Sequence, residues 1–332
     1  MEEMAIDPKH ISEGDIAFRI GPALNAPGRL LDDGAQIAFG TLCSAKADAA
    51  TRASELVRFN NQRKKLESDA VKRIDERLVK EGLKCPIIVD ESIHVGIVGI
   101  VAGKLAEKYR LPAIVLTNTE EGYKGSARAP KDFHMKQMLD ALSDMLIRYG
   151  GHAAAAGLTV KKDRYDDFKR VLHDQYKDYE VPEPVTYYDL DVSEENIDKT
   201  AKLVDAYGPY GEGNPAPVIQ VRGLTLVPDK DGLLVKPIGE DGSMLRFSCI
   251  NKMSALSFGG AARYDELGRP TTITAVGKLG YNYWNGWVFT QMVLDAFDKA
   301  PDSYLSLASL VKNKLDALRS DTGFASSEKS EN

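Results

Sequence analysis

The stretch that most constrains this chain runs from Lys46 to about Gly82. Ala49, Ala53, Leu56, Phe59, Leu66, Ala70, Ile74 and Leu78 recur there at three- and four-residue intervals, with charges on the remaining positions. That is the period of an amphipathic α-helix. The spacing predicts one long helix, with Asn60-Asn61 as its breaking point and Gly82 ending it through a left-handed cap. The basic cluster Arg63-Lys64-Lys65 could touch phosphates. With Glu67 and Asp69 close by, we read it instead as a solvated, charge-balanced face.

On either side of this helix the chain holds too many residues for one hydrophobic core. Its 332 residues predict two or three domains. Forty-three Lys and Arg against forty-nine Asp and Glu give a net charge of −6. This excludes a uniformly basic, histone-like protein but leaves room for a local basic groove, because a ligand responds to local field. Cys43, Cys85 and Cys249 are widely separated, with no Cys-x-x-Cys and no His placed to complete a zinc site. Each is read as a small buried hydrophobe in a reducing compartment. Acidic residues in Met1-Glu2-Glu3-Met4-Ala5-Ile6-Asp7 do not suit a signal peptide. No apolar stretch approaches the roughly 20 residues that span a bilayer. The expectation is a cytoplasmic protein with no membrane contact.

Before the helix, Ile20-Gly21-Pro22-Ala23-Leu24-Asn25-Ala26-Pro27-Gly28-Arg29-Leu30 carries two Pro and two Gly. It reads as a loop held against a core, not a helix. After the helix, apolar strands at Pro86–Val89 and Ala113–Leu116 flank a helix from Val95 to Tyr109. A strand at Tyr123–Arg128, a helix from about His134 to Arg148, a strand at Leu158–Val160 and a helix from Asp163 to Tyr179 complete one α/β domain. Val181-Pro182-Glu183-Pro184 is a linker. Beyond it, a short helix at Glu194–Leu203 precedes strands at Val218–Val221, Leu224–Val227, Leu245–Ile250, Thr271–Val276 and Trp287–Leu294, spaced as in a small β-barrel. A last helix is expected from Tyr304 to Leu318, and a disordered tail from Ser326.

Four glycine-bearing segments could carry chemistry. In Asn25-Ala26-Pro27-Gly28-Arg29, an Arg beside Gly lets a planar guanidinium approach a phosphate; alone, it is a turn with a surface Arg. His94-Val95-Gly96-Ile97-Val98-Gly99-Ile100 joins a strand to a helix, where exposed amides suit anions; a capping His with close-packed Gly is the competing reading. Lys124-Gly125-Ser126-Ala127-Arg128 sets a hydroxyl and a cation at alternate positions, pointing the same way on a strand. Gly150-Gly151-His152 offers backbone donors and an imidazole. All four fall in one α/β unit, each with donors suited to a phosphodiester. Neither a dense His/Asp cluster for a metal pair nor a nucleophile elbow accompanies them.

Together and in this order, these segments resemble the RecJ family of single-strand-specific DNA exonucleases, in the DHH phosphoesterase superfamily. The matching stretches are Phe18–Leu30, His94–Leu105, Gly125–Arg128, Gly150–Gly157 and Tyr207–Pro217 with Gly211-Glu212-Gly213-Asn214-Pro215. Pro27, and Ala127 where Gly is usual, depart from the family pattern. The resemblance implies an α/β DHH-associated domain preceded by a long connecting helix and followed by a β-barrel OB-fold domain. The implied segments are 1–45 as the end of a DHH region, 46–84 the connecting helix, 85–180 the DHH-associated domain, 181–300 the OB-fold, and 301–332 a terminal helix and tail. It further implies phosphate contacts at Arg29, Ser126, Arg128 and His152, supported by Asn25, His94, Gly150 and Gly151. Tyr281, Tyr283 and Trp284 become possible platforms for stacked bases, or else barrel core or hairpin tip.

The family's Asp-His-His motif is not found in this sequence, which has no adjacent pair of His. By resemblance, Mn²⁺ or Mg²⁺ would be held by a catalytic domain preceding this chain, with none bound here and no catalytic residue here. The leading expectation is the substrate-binding C-terminal part of a 5′–3′ single-stranded-DNA exonuclease, alone or beside a separate DHH-domain chain. The alternatives are a non-catalytic single-stranded-DNA-binding or scaffold subunit partnering other replication or repair proteins, and a small-nucleotide phosphodiesterase.

Overall fold

The computed structural model describes Met4 and residues 6–131, 133–181, 185–239, 242, 244–284, 287–301 and 303. The chain divides into two units, residues 1–183 and 184–332. The expected helix at 304–318 and the tail beyond 326 lie outside the described residues.

In the first unit, a short turn α1 (Glu13–Asp15) leads through one π-helical stretch into α2 (Gly21–Leu30) and α3 (Gly34–Leu42). The segment expected to be a loop is thus a helix. Pro22 sits in the first turn, where a missing N–H has no acceptor to lose. Pro27 forfeits one bond inside the helix, a cost of about 3 kcal/mol in isolation. Packing overrides that cost: Ala23, Ala26 and Pro27 are buried, and Gly34 lies so close to the Pro27 backbone that a β-carbon there would sit 2.1 Å from its carbonyl.

The long helix α4 runs unbroken from Lys46 to Glu81, and Gly82 at φ 65° ends it. Asn60 does not break it: its side chain is buried and accepts hydrogen bonds from Arg63 Nε (3.2 Å) and Nη2 (2.9 Å). Arg63 is therefore no part of a solvated face. It is buried against Glu67 (2.6 Å), which also receives Lys104 Nζ (2.6 Å) from the next helix. This network ties α4 to the domain that follows, because a carboxylate 3% exposed needs the two cations to offset its lost hydration.

That domain is a five-stranded sheet in the order β1-β2-β3-β5-β4. The strands are β1 (Ile87–Val89), β2 (Ala113–Asn118), β3 (Tyr123–Arg128), β4 (Leu146–Gly151) and β5 (Ala155–Val160). α5 (Val98–Tyr109) makes the crossover between the parallel pair β1 and β2; all other pairings are antiparallel. The helix expected over His134–Arg148 is shorter: α6 (Met135–Asp140) stops, and Leu146 onward is strand. His134 does start that helix, accepting from Gln137 N. Alternation sorts the sheet's faces. Ala127, Ala156 and Leu158 pack with Met135, Leu139 and, from α7 (Tyr165–Tyr176), Phe168 and Leu172. Val115 and Ala113 pack on the other face with Val101, Ala102 and Leu105 of α5 and Ile74 of α4.

The second unit is a seven-stranded sheet in the order β6-β7-β11-β12-β10-β9-β8. Its strands are β6 (Leu190–Val192), β7 (Val218–Thr225), β8 (Val235–Ile238), β9 (Met244–Ser248), β10 (Ser254–Ser257), β11 (Thr272–Trp284) and β12 (Trp287–Lys299). α8 (Ile197–Ala206) and α9 (Ala261–Glu266) accompany it. The two strands expected at 218–227 are one, bent at Gly223 (φ 83°). β11 and β12 run on for 13 residues each as a hairpin. As a ladder the sheet is open, so closure into a barrel is not established. One bridge pair, Leu226 with Cys249, and a hydrogen bond from Val227 N to Ser248 O (2.9 Å) link the end of β7 to the end of β9. Cys85 and Cys249 are buried as expected, and burial pushes both thiols up to about 12. Cys43, at the end of α3, is exposed instead.

Candidate nucleic-acid interface

β3 positions Ser126 and Arg128 on the face of the sheet that carries α5, as their alternation requires. They converge on Gly99 in the first turn of α5. A β-carbon there would stand 2.9 Å from Arg128 Nη2 and 3.2 Å from Ser126 Oγ. The start of that helix has Ile97 at its cap and no side-chain acceptor. Among the described residues the Val98 and Gly99 amides, at the positive end of its dipole, have no hydrogen-bond partner, whereas Ile100 N bonds back to Ile97 O (2.9 Å).

Arg29 arrives from α2. Its Nη1 donates to Gly96 O (3.3 Å), and Gly96 lies against the Arg29 backbone so tightly that a β-carbon would meet the Arg29 carbonyl oxygen at 1.9 Å. This contact brings two guanidinium groups together across 99 positions of sequence. Arg128 is lowered from its ordinary pKa first by burial and then by the charge of Arg29. Arg128 donates to Ala127 O (2.8 Å). Among the described residues neither Arg is ion-paired. Two cations and a helix start thus converge with no counter-charge among the described residues, an arrangement suited to an anion.

The other expected residues fall into place around this centre or away from it. His94 is exposed beside it, its Nδ1 accepting from Gly96 N (3.1 Å), which leaves Nε2 as a donor. Asn25 is exposed one helical turn before Arg29. Gly150 and His152 are not in the cluster; they stand two strands across, in the register Ser126–Gly157–Gly150 and beside Ala155, the partner of Arg128. That separation is about 10 Å at ~4.8 Å per strand. Gly151 has a structural reason: at φ 155°, a β-carbon would lie 2.2 Å from Ala155 O. Gly150 and Gly157 have nothing within 4 Å of that position, so they leave the sheet face bare. Gly99 and Gly157 lie inside the segments singled out from the sequence but were given no site role there, since glycine at a helix start and in mid-strand is a weak signal.

In the second unit Tyr281 packs partly against the core, and burial raises its pKa. Tyr283 shares its face further along the hairpin, opposite Val288. The side chain of Trp284 lies outside the described residues. Trp287 is 69% exposed near the hairpin's tip, and sequence reading passed it over. The Gly211–Asn214 loop braces itself: Asn214 Nδ2 donates to Tyr207 O and Pro209 O (3.3 and 2.9 Å).

Among the described residues no three His, Cys, Asp or Glu side chains group to hold a metal ion. The donor set of the described residues does not fit a divalent metal centre. No described helix is long and apolar enough to cross a membrane.

The fold is an α/β domain followed by an OB-type β domain, and comparison with known proteins places both. Residues 82–178 match the DHHA1 domain and residues 188–296 the RecJ OB domain. The single-stranded-DNA-specific exonuclease RecJ of Salmonella typhimurium is 30% identical over 254 residues, covering 70% of this chain and 44% of that protein. RecJ of Escherichia coli is 28% identical over 310 residues, covering 87% and 52%. The crystal structure of Thermus thermophilus RecJ with Mn²⁺ is similar at a TM-score of 0.68 and 26% identity, over 87% of this chain and 42% of that one; another was solved with Mg²⁺. This chain belongs to the RecJ family and corresponds to its C-terminal part. It spans about half the length, or less, of these relatives.

Proposed function

We propose that this chain is the substrate-holding part of a RecJ-like single-stranded-DNA exonuclease, and that Arg29, Ser126 and Arg128 grip a backbone phosphate. His94 and Asn25 stand at its edge, and Gly150 and His152 meet the strand further across the sheet. One observation carries the reading: the unneutralised pair Arg29–Arg128 over Gly99, at the open start of α5. In the second unit, the bridge from β7 to β9 supports reading the sheet as a five-stranded barrel, with Tyr281, Tyr283 and Trp287 offered to bases.

Phosphodiester hydrolysis, in this reading, draws its Mn²⁺ or Mg²⁺ ligands from protein outside these 332 residues, in a DHH domain. The exposed Phe18, Phe39 and Leu42 of the first unit favour such a domain as a partner. The test is to offer the purified chain labelled single-stranded DNA with Mn²⁺. It should bind, with affinity falling steeply as salt rises, and yield no shortened products. Degradation by this chain alone overturns the division of labour; a failure to bind overturns the assignment.

A further inference from the structure

We propose that Lys124 and Arg148 form a second phosphate subsite, which takes the phosphodiester one nucleotide along from the phosphate held by Arg29, Ser126 and Arg128; buried Thr159 holds Arg148 in place from beneath. The inference rests on the reading above and gives it a direction.

Lys124 precedes Ser126 by two residues on β3, so it projects from the same face at a separation of about 7 Å. That is the scale of the step between successive phosphates of an extended single strand. Register places Lys124 opposite Thr159, and Thr159 opposite Arg148. Arg148 Nε donates to Thr159 Oγ1 at 3.4 Å, which confirms that these side chains share a face. The step from Ser126 to Lys124 runs toward the carboxyl ends of β1 and β2, because Lys124 pairs with Thr117 near the end of β2. Ligands gather at that end of parallel strands.

The surface there is concave. A depression of about 350 Å³ is bounded by Lys124, Arg148 and Thr159 over Gly150 and Gly157. The two glycines place nothing above the floor, so a sugar-phosphate backbone can lie flat on the sheet. Lys124 has no hydrogen bond or ion pair among the described residues. Arg148 is held by Glu121 at 2.5 Å, with both side chains about half exposed. Such a pair is worth about 0–1 kcal/mol, so a phosphate displaces Glu121 at little cost.

The experiment uses the full chain without divalent metal. It compares thymidine 5′-monophosphate, the 5′-phosphorylated dinucleotide and the 5′-phosphorylated hexanucleotide as competitors of a labelled oligothymidylate. Lys124→Ala should weaken the two longer ligands about tenfold, the loss of one charged hydrogen bond, and flatten the salt slope by about 0.7, leaving the mononucleotide unchanged. Glu121→Gln, which frees Arg148, should tighten the same two ligands, an effect misfolding cannot imitate. If both variants alter all three ligands alike, or none, the subsite is wrong. Arg128→Ala separates the two levels: it should weaken all three ligands. If Arg128→Ala acts as expected while the other variants do nothing, only the subsite falls. If it changes nothing, the parent reading fails and the subsite with it.

Discussion

The guanidinium of Arg128 lies over Gly99, its Nη2 2.9 Å from where a β-carbon would be. The obstacle to an added methyl is thus the mobile end of a side chain rather than backbone. Gly99→Ala should leave the fold intact, and helix propensity even favours it by about 0.5–1 kcal/mol. Arg128 must then swing aside. The expected result is an unchanged or raised Tm with single-stranded-DNA affinity reduced severalfold, read by thermal melting and fluorescence anisotropy on one preparation.

Gly96→Ala should behave differently. Its β-carbon would meet the Arg29 carbonyl oxygen at 1.9 Å, a backbone contact that cannot rotate away. Either α2 or the 94–97 loop must move, so both Tm and affinity should fall. Equal behaviour of the two alanine variants would contradict the distinction.

Arg128→Lys keeps the charge and loses the planar fork. Affinity for single-stranded DNA should drop about tenfold, at the lower end of what a charge-assisted hydrogen bond contributes. The salt slope should stay nearly unchanged, because counterion release counts charges. Arg128→Ala should lower both, so the pair of variants separates geometry from charge in one titration series.

Much of the architecture was legible because its signal is local. The 36-residue α4 follows from the three-and-four spacing of Leu56, Phe59, Ala70, Ile74 and Leu78, and β1 and β2 from their β-branched runs. α2 was not, since two Pro and two Gly speak against a helix until the burial of Ala23 and Ala26 is known. β4 was taken as helix because Leu146–Arg148 continues the apolar spacing of α6 without a breaker before Gly150. Ser126 and Arg128 could be paired by strand alternation. Their meeting with Arg29 could not be, for it depends on how α2 seats against the 94–97 loop.

Glu67 should prove to be a structural keystone of α4. Buried, it answers both Arg63 and Lys104. Glu67→Ala strands Arg63, whose side chain is only 11% exposed. A loss of about 3–5 kcal/mol is expected for breaking such a pair, measurable by urea denaturation. Replacing Lys104 alone, at the exposed end, should cost far less.

His173 on α7 gives a pH signature. Burial, then Lys169, holds its pKa below the ordinary histidine value, and its Nε2 has no partner among the described residues. The unfolded chain therefore takes up this proton first as pH falls. The stability that neutral His173 contributes is present above the unfolded-state value near 6.5 and is lost as pH drops toward the lowered folded value. His173→Gln should flatten the fall in Tm between pH 7.5 and 5; an identical fall in both proteins would remove His173 as the source.

The most direct measurement is a crystal structure of this chain with a short 5′-phosphorylated oligothymidylate. The account predicts a phosphate within hydrogen-bond reach of Ser126 Oγ and of both the Arg29 and Arg128 guanidinium groups, at the start of α5. An oligonucleotide bound with those three side chains untouched would contradict it.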